Sequence, residues 1–373
     1  GDAETAPLKD ETEDGSNEHD EDSKTNCEVK MSLYKHTHHR KCQQSIAHTL
    51  TMLPSFCKIY VNGREGVISS QTLFIYVRRF FVFFDYIRSL GKTDISLDDL
   101  ASLTIHDIED FAHWLRYHPA KKPLSERSIN HYLTAISSLY DYFIRTGDLT
   151  KNPVRSMERK SIKRSRNVIY IEDTKQFLGA SKCGVGLSDV QLRYFCKTSI
   201  RDYAICMLLL RTGIRVSELV GIDVEDVDFE ECSVSIIRKR DKADIVYFDD
   251  ETKAVLLDYL EERALYLTDK KESALFIVTI GKFQGTRLSV RSIERLIKKY
   301  ALSSGIKNAS KITPHRLRAT FAHDMLNATG DIRLVQEALD HESADTTSVY
   351  LNTRQEHLKN NRNIISKYKN EQA

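Results

Sequence analysis

Apolar residues recur at helical spacing in the first half of the chain. In the segment SQTLFIYVRRFFVFFDYIRSLG they fall three or four positions apart, as on one face of a helix. The core positions predicted on this face are Leu73, Tyr76, Val77, Phe80, Phe81, Phe84 and Ile87. Ser70 can serve as the N-cap and Gly91 as the C-terminal stop. We interpret the aromatic stripe as core packing and not as a platform for stacking bases.

Two further helices are expected before a break at Asn152-Pro153. One covers roughly residues 106–117, and the other begins at Ser125 and ends before Gly147. Residues 40–153 are therefore predicted to form a helical domain.

The second half of the chain mixes two kinds of pattern. Residues 199–211 are strongly apolar, whereas residues 231–248 alternate with period two around a turn at Arg240-Asp241, which is typical of a β-hairpin. Further helices are expected at residues 252–265, 289–303, 313–329 and 332–339. The predicted fold is mainly α with a small β-sheet (α+β), and its second domain covers residues 169–373.

Charge is unevenly distributed along the chain. The net charge is +2, but residues 1–25 hold ten acidic residues against two lysines, so the remainder carries +10. Residues 1–39 are expected to be an acidic, disordered tail because apolar residues are scarce there. Residues 154–168 are rich in Arg and Lys and are interpreted as a basic linker. Two hypotheses remain for this linker: a solvated loop, or a strap along a DNA backbone.

Several classes of protein fit the composition poorly. The seven cysteines are scattered without a CxxC pair, so neither a zinc site nor a disulfide framework is indicated. Cys206 lies in an apolar run and is interpreted as a buried thiol. Apolar stretches are too short to span a bilayer and no signal-peptide pattern is present, so a cytoplasmic protein is expected.

A spaced set of cationic residues in the second domain ends in a tyrosine. The set comprises Arg215, Lys239, His315, Arg318, His341 and Tyr350. Phosphodiester chemistry requires neutralisation of charge on a phosphate, a proton donor for the departing oxygen, and a nucleophile. The set supplies all three and lacks the carboxylate cluster of a magnesium-dependent nuclease. Asp223, Asp226 and Asp228 do follow Arg215, but their spacing fits a capped turn better than a two-metal site.

The motifs around these residues carry a family resemblance. They are TGIRVSEL, IIRKRDKADIVYF, HRLRATFAHDML and LDHESADTTSVYLNT, and an HxxR pair is followed 23 residues later by a histidine and nine residues after that by a tyrosine. From about residue 45 to 370 the chain resembles tyrosine recombinases of the phage integrase family, in the style of the short Xer-type enzymes. The resemblance implies a helical core-binding domain and a catalytic domain that form a C-shaped clamp on double-stranded DNA, with no cofactor or metal.

The resemblance assigns the phosphate ligands and the proton donor. Arg215 and Arg318 would clamp the scissile phosphate, for which a planar guanidinium is suited. Lys239 would protonate the leaving 5′ oxygen, and Lys242 is the rival candidate. The alternative interpretations are structural: Arg215 would cap a helix end, and Arg318 would pair with a carboxylate such as Asp324.

The resemblance also assigns the remaining members of the set. His315 would act as general base or phosphate ligand, and His341 would donate a hydrogen bond to the phosphate. Tyr350 would be the nucleophile of a 3′-phosphotyrosyl intermediate. The family usually has glycine where this chain has Asp340, and Glu218 matches a family glutamate that we assign to orientation of the first arginine.

The implied activity is site-specific strand exchange through a Holliday junction by a tetramer that holds two duplexes. The C-terminal tail would dock on a neighbouring subunit or pack on its own domain. The role in mobile-element integration and excision or in Xer-like resolution, and the need for a second recombinase or accessory factor, stay open. The rival functions are a type IB topoisomerase and a non-catalytic DNA-binding regulator on the same fold.

Further basic residues are candidates for DNA phosphate contacts, whereas His323 is given a structural interpretation. The candidate contacts are Arg78, Arg79, Lys121, Lys122, Arg127, Lys160, Lys163, Arg164 and Lys242.

Overall fold

The computed structural model describes residues 39–117, 123–159, 169–238 and 242–339, which fall into two compact units. The first unit holds the described residues up to 159 and is mainly helical. Its elements are helical residues 39–50 (α1), α2 (Phe56–Arg64), α3 (Ser70–Ser89), α4 (Leu97–Ser102), α5 (Ile105–Tyr117), α6 (Glu126–Thr146) and α7 (Pro153–Ser156).

The aromatic stripe of α3 forms much of the core of this unit, as its periodicity predicts. Phe80 and Phe84 are fully buried, and Phe84 packs edge-to-face against Phe56 of α2 with ring centroids 5.6 Å apart. Phe83, which was not predicted as a core position, is also buried and packs edge-to-face against Phe111 of α5. Tyr76 and Phe81 are only partly buried at the border of this core. Large aromatic rings bury much apolar surface, so the stripe serves packing and not base stacking.

Capping residues mark both ends of α6 and the start of α3, the two longest helices of this unit. The Ser125 hydroxyl accepts the N–H three residues further on at 3.3 Å, and Gly147 ends α6 with a φ of +89°. These caps lie at the helix bounds that the sequence predicts. The N-cap of α3 is Ser69 and not the predicted Ser70, because the Ser69 hydroxyl accepts the N–H of Thr72 at 3.2 Å.

The second unit combines helices with one antiparallel sheet in the order β1-β2-β3. Its elements are α8 (Thr174–Cys183), α9 (Asp189–Phe195), α10 (Ser199–Thr212), α11 (Val216–Gly221), β1 (Val227–Asp228), β2 (Ser233–Ile237), β3 (Ala243–Tyr247), α12 (Asp250–Ala264), α13 (Val290–Ser303), α14 (Pro314–Thr329) and α15 (Ile332–Ala338). The prediction of a mainly α fold with a small sheet is confirmed. Among the described helices of both units, none combines the length and the apolar character needed to cross a membrane.

Helix α10 runs through the middle of the second unit. All residues from 203 to 210 are buried, and the helix packs against α8, α12 and α14. A helix that is apolar on all sides is typical of such an enclosed position. Cys206 is fully buried, as predicted, and burial raises the pKa of its thiol. This central helix ends at Thr212, three residues before Arg215.

Asn152 holds the end of the first unit at the break before Pro153. Its side-chain amide donates to the Ser137 carbonyl at 3.2 Å and to the Asp141 carboxylate at 2.7 Å. Its side-chain oxygen accepts the N–H of Val154 at 3.1 Å and caps α7. Asn152 is buried, so removal of its side chain leaves buried polar groups without these hydrogen bonds.

Asn152→Ala is expected to lower the free energy of unfolding of this unit by about 1–3 kcal/mol. Trp114, the one tryptophan of the chain, packs against Phe111 in this unit, so its fluorescence during urea denaturation reports on this unit. Asn62→Ala, at an exposed position of α2, is the control and should change stability by less than about 0.5 kcal/mol. Equal losses in the two variants would contradict the role of Asn152.

Candidate active site

Arg215 is placed by a tight turn at the end of α10. Gly213 has a φ of +63°, and a Cβ at this position would approach the ring of Phe321 to 2.3 Å, so only glycine fits. Two residues later Arg215 becomes the N-cap residue of α11. The turn therefore delivers the arginine from the most enclosed helix of the unit to its surface.

A buried carboxylate holds Arg215 from one side. The N–H of Arg215 donates to Oε2 of Glu218, and its Nη1 donates to Oε1, both at 2.7 Å. The Glu218 side chain is 4% exposed, whereas the Arg215 side chain is 35% exposed. Arg215 does lie at a helix end, but Glu218 satisfies the N–H there, and part of the guanidinium remains accessible to a ligand.

Arg318 reaches from α14 to two backbone carbonyls. Its Nη1 donates to the Gly213 carbonyl at 2.5 Å, and its Nη2 donates to the Leu339 carbonyl. The first contact fixes the turn before Arg215, and the second fixes the residue that follows α15. The alternative partner named for Arg318, Asp324, instead lies 3.2 Å from Nδ1 of His323.

His315 lies in the first turn of α14, after Pro314 at the first helical position. Loss of water contact lowers the pKa of its imidazole, and the positive charges of Arg316, Arg318 and Arg215 lower it further. Arg318 follows His315 by three residues on α14 and donates to the carbonyl of Gly213 in the turn before Arg215, so these three predicted residues belong to one region of the second unit. A lowered pKa keeps the imidazole neutral at neutral pH, and a neutral imidazole can accept a proton.

His323 has the structural environment that was predicted for it. Its ring stacks on Tyr170 with centroids 3.8 Å apart, and it also contacts Asp324 and Asn327. The side chain is 14% exposed and is packed within the second unit.

The β2–β3 hairpin is described on both sides of its turn. The N–H of Arg238 donates to the carbonyl of Lys242 at 2.8 Å, and Lys242 itself is exposed. Lys239 falls between these two residues in the sequence and lies outside the described residues, as do His341 and Tyr350 further along the chain. The strand pair predicted from the sequence is present, and it is extended by the two-residue strand β1, which was not predicted.

The described DNA-contact candidates of the first unit are surface residues. Arg78 and Arg127 are exposed, and the guanidinium of Arg79 lies 5.8 Å from the ring centre of Tyr132. The candidates that lie outside the described residues are Lys121, Lys122, Lys160, Lys163 and Arg164.

The carboxylates after Arg215 accept hydrogen bonds from other groups of the second unit. Asp223 accepts from Nη2 of Arg287, and Asp226 accepts the N–H of Asp223 at 2.8 Å. Asp228 accepts the N–H groups of the turn that follows it at 2.8 and 2.9 Å. This is the capped turn that the spacing predicts, and no group of His, Cys, Asp or Glu in the described residues could hold a metal ion.

Comparison with known proteins agrees with this fold and with these motifs. Residues 190–357 match the phage integrase family. The tyrosine recombinase XerS of Streptococcus uberis is 31% identical over 351 residues, which cover 85% of this chain and 97% of the relative. The XerS of Lactococcus lactis subsp. cremoris is 30% identical over 349 residues, with coverage of 85% and 97%.

Solved structures show the same fold at lower identity. The XerH site-specific recombinase bound to palindromic difH substrate, in a post-cleavage complex, has a TM-score of 0.59 and 20% identity, and the match covers 87% of this chain and 89% of that one. A lambda integrase dimer bound to a COC′ core site has a TM-score of 0.56 and 17% identity, with coverage of 80% and 76%. The chain therefore belongs to the phage integrase family, as a site-specific tyrosine recombinase of the Xer type.

The pKa of His315 can be measured by NMR titration of its Cε1–H signal, assigned by comparison with His315→Gln. We expect a pKa below the usual value of about 6.5. Arg316→Gln removes one positive charge near the ring, so it should raise this pKa toward the usual value. Lys311→Gln removes a charge that is not among those that lower this pKa, so it should leave the pKa unchanged. A wild-type pKa at or above 6.5 would contradict the description of this site.

Proposed function

We propose that Arg215, His315 and Arg318 form the phosphate-binding part of the active site, and that Lys239, His341 and Tyr350 complete it. The observation that supports this most directly is that Arg318, one helical turn after His315 on α14, donates to the carbonyl of Gly213 in the turn that presents Arg215. Two guanidinium groups can donate hydrogen bonds to the non-bridging oxygens of a phosphate and offset its negative charge.

In the proposed cleavage step the Oη of Tyr350 attacks the scissile phosphorus, and the bond from phosphorus to O5′ breaks. The phenol proton passes to His315, and Lys239 donates a proton to the leaving O5′. His341 donates a hydrogen bond to the phosphate as charge develops on it. The products are a 3′-phosphotyrosyl link and a free 5′ hydroxyl.

The reverse of this step joins strands without a cofactor. The phosphotyrosyl link retains the energy of the phosphodiester that it replaces, and the 5′ hydroxyl of another strand can attack it. Two such exchanges on paired duplexes, through a Holliday junction, would complete recombination. This sequence of steps requires four protomers on two duplexes, with the segment after Tyr350 docked on a neighbouring subunit or on its own domain.

The two units are proposed to share the binding of double-stranded DNA. Residues 40–153 would be the core-binding domain, residues 154–168 a basic linker, and residues 169–373 the catalytic domain. Exposed basic residues of the first unit such as Arg78 and Arg127 would contact phosphates, since such contacts provide most of the sequence-independent affinity.

The covalent intermediate is tested with a suicide substrate that carries a nick near the cleavage position, in EDTA, on a denaturing gel. The wild type should form a protein–DNA adduct without metal. Tyr350→Phe should abolish the adduct and leave DNA affinity within about threefold, because only the nucleophilic oxygen is lost. Tyr247→Phe, at an exposed position of β3, is the matched control and should retain the adduct. An adduct that persists in Tyr350→Phe, or that needs magnesium, would overturn the mechanism.

The linker hypothesis is tested by the salt dependence of DNA affinity. Combined neutralisation of Lys160, Lys163 and Arg164 should reduce the magnitude of the log Kd against log [salt] slope by up to about 3, since each lost phosphate contact contributes about 0.9. Neutralisation of exposed Lys270, Lys271 and Lys282 is a control of equal charge. A linker variant with the slope of the wild type would identify the linker as a solvated loop.

A further inference from the structure

Arg238 is a buried arginine next to the proposed proton donor. It follows β2 directly and precedes Lys239 in the chain, and its side chain is 1% exposed. Removal of a guanidinium from water costs several kcal/mol unless charged and hydrogen-bonding partners compensate. The partners of Arg238 therefore indicate what this position is used for.

The three nitrogens of its guanidinium point to three different segments. Nε donates to Oδ2 of Asp244 on the neighbouring strand β3. Nη2 donates to the carbonyl of Ala338, the last residue of α15, at 3.0 Å. Nη1 lies 3.8 Å from Oε2 of Glu218 on α11, an electrostatic contact, and has no hydrogen-bond partner within the described residues.

The contact with Glu218 connects Arg238 to Arg215. The two oxygens of this carboxylate already accept from the backbone and the side chain of Arg215 at 2.7 Å. Glu218 is itself buried, and it lies between the two arginines. A displacement of Arg238 would therefore change the charge balance around the carboxylate that orients Arg215.

The contact with Ala338 connects Arg238 to the segment that leads to His341. The next carbonyl along the chain, that of Leu339, accepts from Nη2 of Arg318. Two arginines thus hold consecutive carbonyls at the C-terminal end of α15, where unpaired carbonyls favour cationic partners.

We propose that Arg238 is a positioning residue for Lys239, because it fixes the chain directly after β2 to Glu218 of α11 and to the end of α15. Consecutive Cα atoms are about 3.8 Å apart, so an anchored Arg238 fixes the point from which the Lys239 side chain starts. Only the forked guanidinium has donors in all three directions, whereas a lysine is a single point charge and a glutamine has one amide. This inference rests on the proposed function, in which Lys239 protonates the leaving oxygen.

The test compares two cleavage substrates in single-turnover reactions at saturating DNA. One has the ordinary bridging oxygen at the leaving 5′ position, and the other has sulfur there. When the phosphorus–sulfur bond breaks, the leaving group departs as a thiolate and needs no proton, so a defect in Lys239 is relieved selectively. Lys239→Ala shows how much the sulfur substrate restores the cleavage rate when the proton donor is lost completely.

Arg238→Gln should slow cleavage of the oxygen substrate roughly 10- to 100-fold, because a misplaced general acid loses part of its contribution to the rate. DNA affinity should stay within about threefold of the wild type. With the sulfur substrate the cleavage rate of this variant should come within about threefold of the wild type. Arg238→Lys retains the buried positive charge, so it keeps the test valid if Arg238→Gln does not fold. Circular dichroism checks the fold of both variants. Arg238→Lys should show a smaller loss with the same dependence on the substrate.

Arg263→Gln is the matched control, because Arg263 is a buried arginine of α12 that donates to the carbonyls of Glu272 and Ala274. It should not distinguish the two substrates. Arg238 variants that are equally slow on both substrates, or as fast as the wild type on the oxygen substrate, would overturn the positioning role alone. A wild type that forms no adduct on either substrate would overturn the proposed function, and this inference with it.

Discussion

The buried carboxylate of Glu218 is the constraint on which the geometry of the site depends. A buried anion is stable only when cations and hydrogen-bond donors surround it, and here Arg215 and Arg238 provide them. The same contacts give Arg215 a fixed orientation before any ligand arrives. Preorganised donors of this kind lower the free energy of a transition state because they do not have to reorient as charge develops. In the proposed site the carboxylate would therefore do no chemistry itself, but it would determine where the phosphate is held.

Backbone carbonyls are the second device that fixes the arginines. Arg318 donates to Gly213 and Leu339, and Arg238 donates to Ala338. A carbonyl orients a guanidinium without contributing a full negative charge, whereas each carboxylate cancels one unit of positive charge. Holding arginines through the main chain is thus compatible with a positive potential at the place where a phosphodiester would bind. It also couples the site to the turn after α10 and to the end of α15.

The sequence is most informative where structure is local. Helical periodicity and caps such as Ser125 and Gly147 predict the ends of α6, because a cap depends on residues three or four positions away. Adjacent serines both satisfy the capping pattern, which explains the shift from Ser70 to Ser69 in α3. The role of Arg238 could not be predicted, since its burial depends on Glu218 and Ala338, which are 20 and 100 positions away. An arginine at the end of an apolar strand is the one local signal for it.

The cations that would recruit the phosphate also regulate the proposed base. Burial lowers the pKa of His315, and Arg316, Arg318 and Arg215 lower it further because they disfavour another positive charge nearby. A bound phosphodiester carries one negative charge and would offset part of that field. The proton affinity of the imidazole would then rise when the substrate is in place, which is when the proposed mechanism removes a proton from the tyrosine. In the proposed arrangement the substrate itself would supply the electrostatic change that makes the histidine a stronger base.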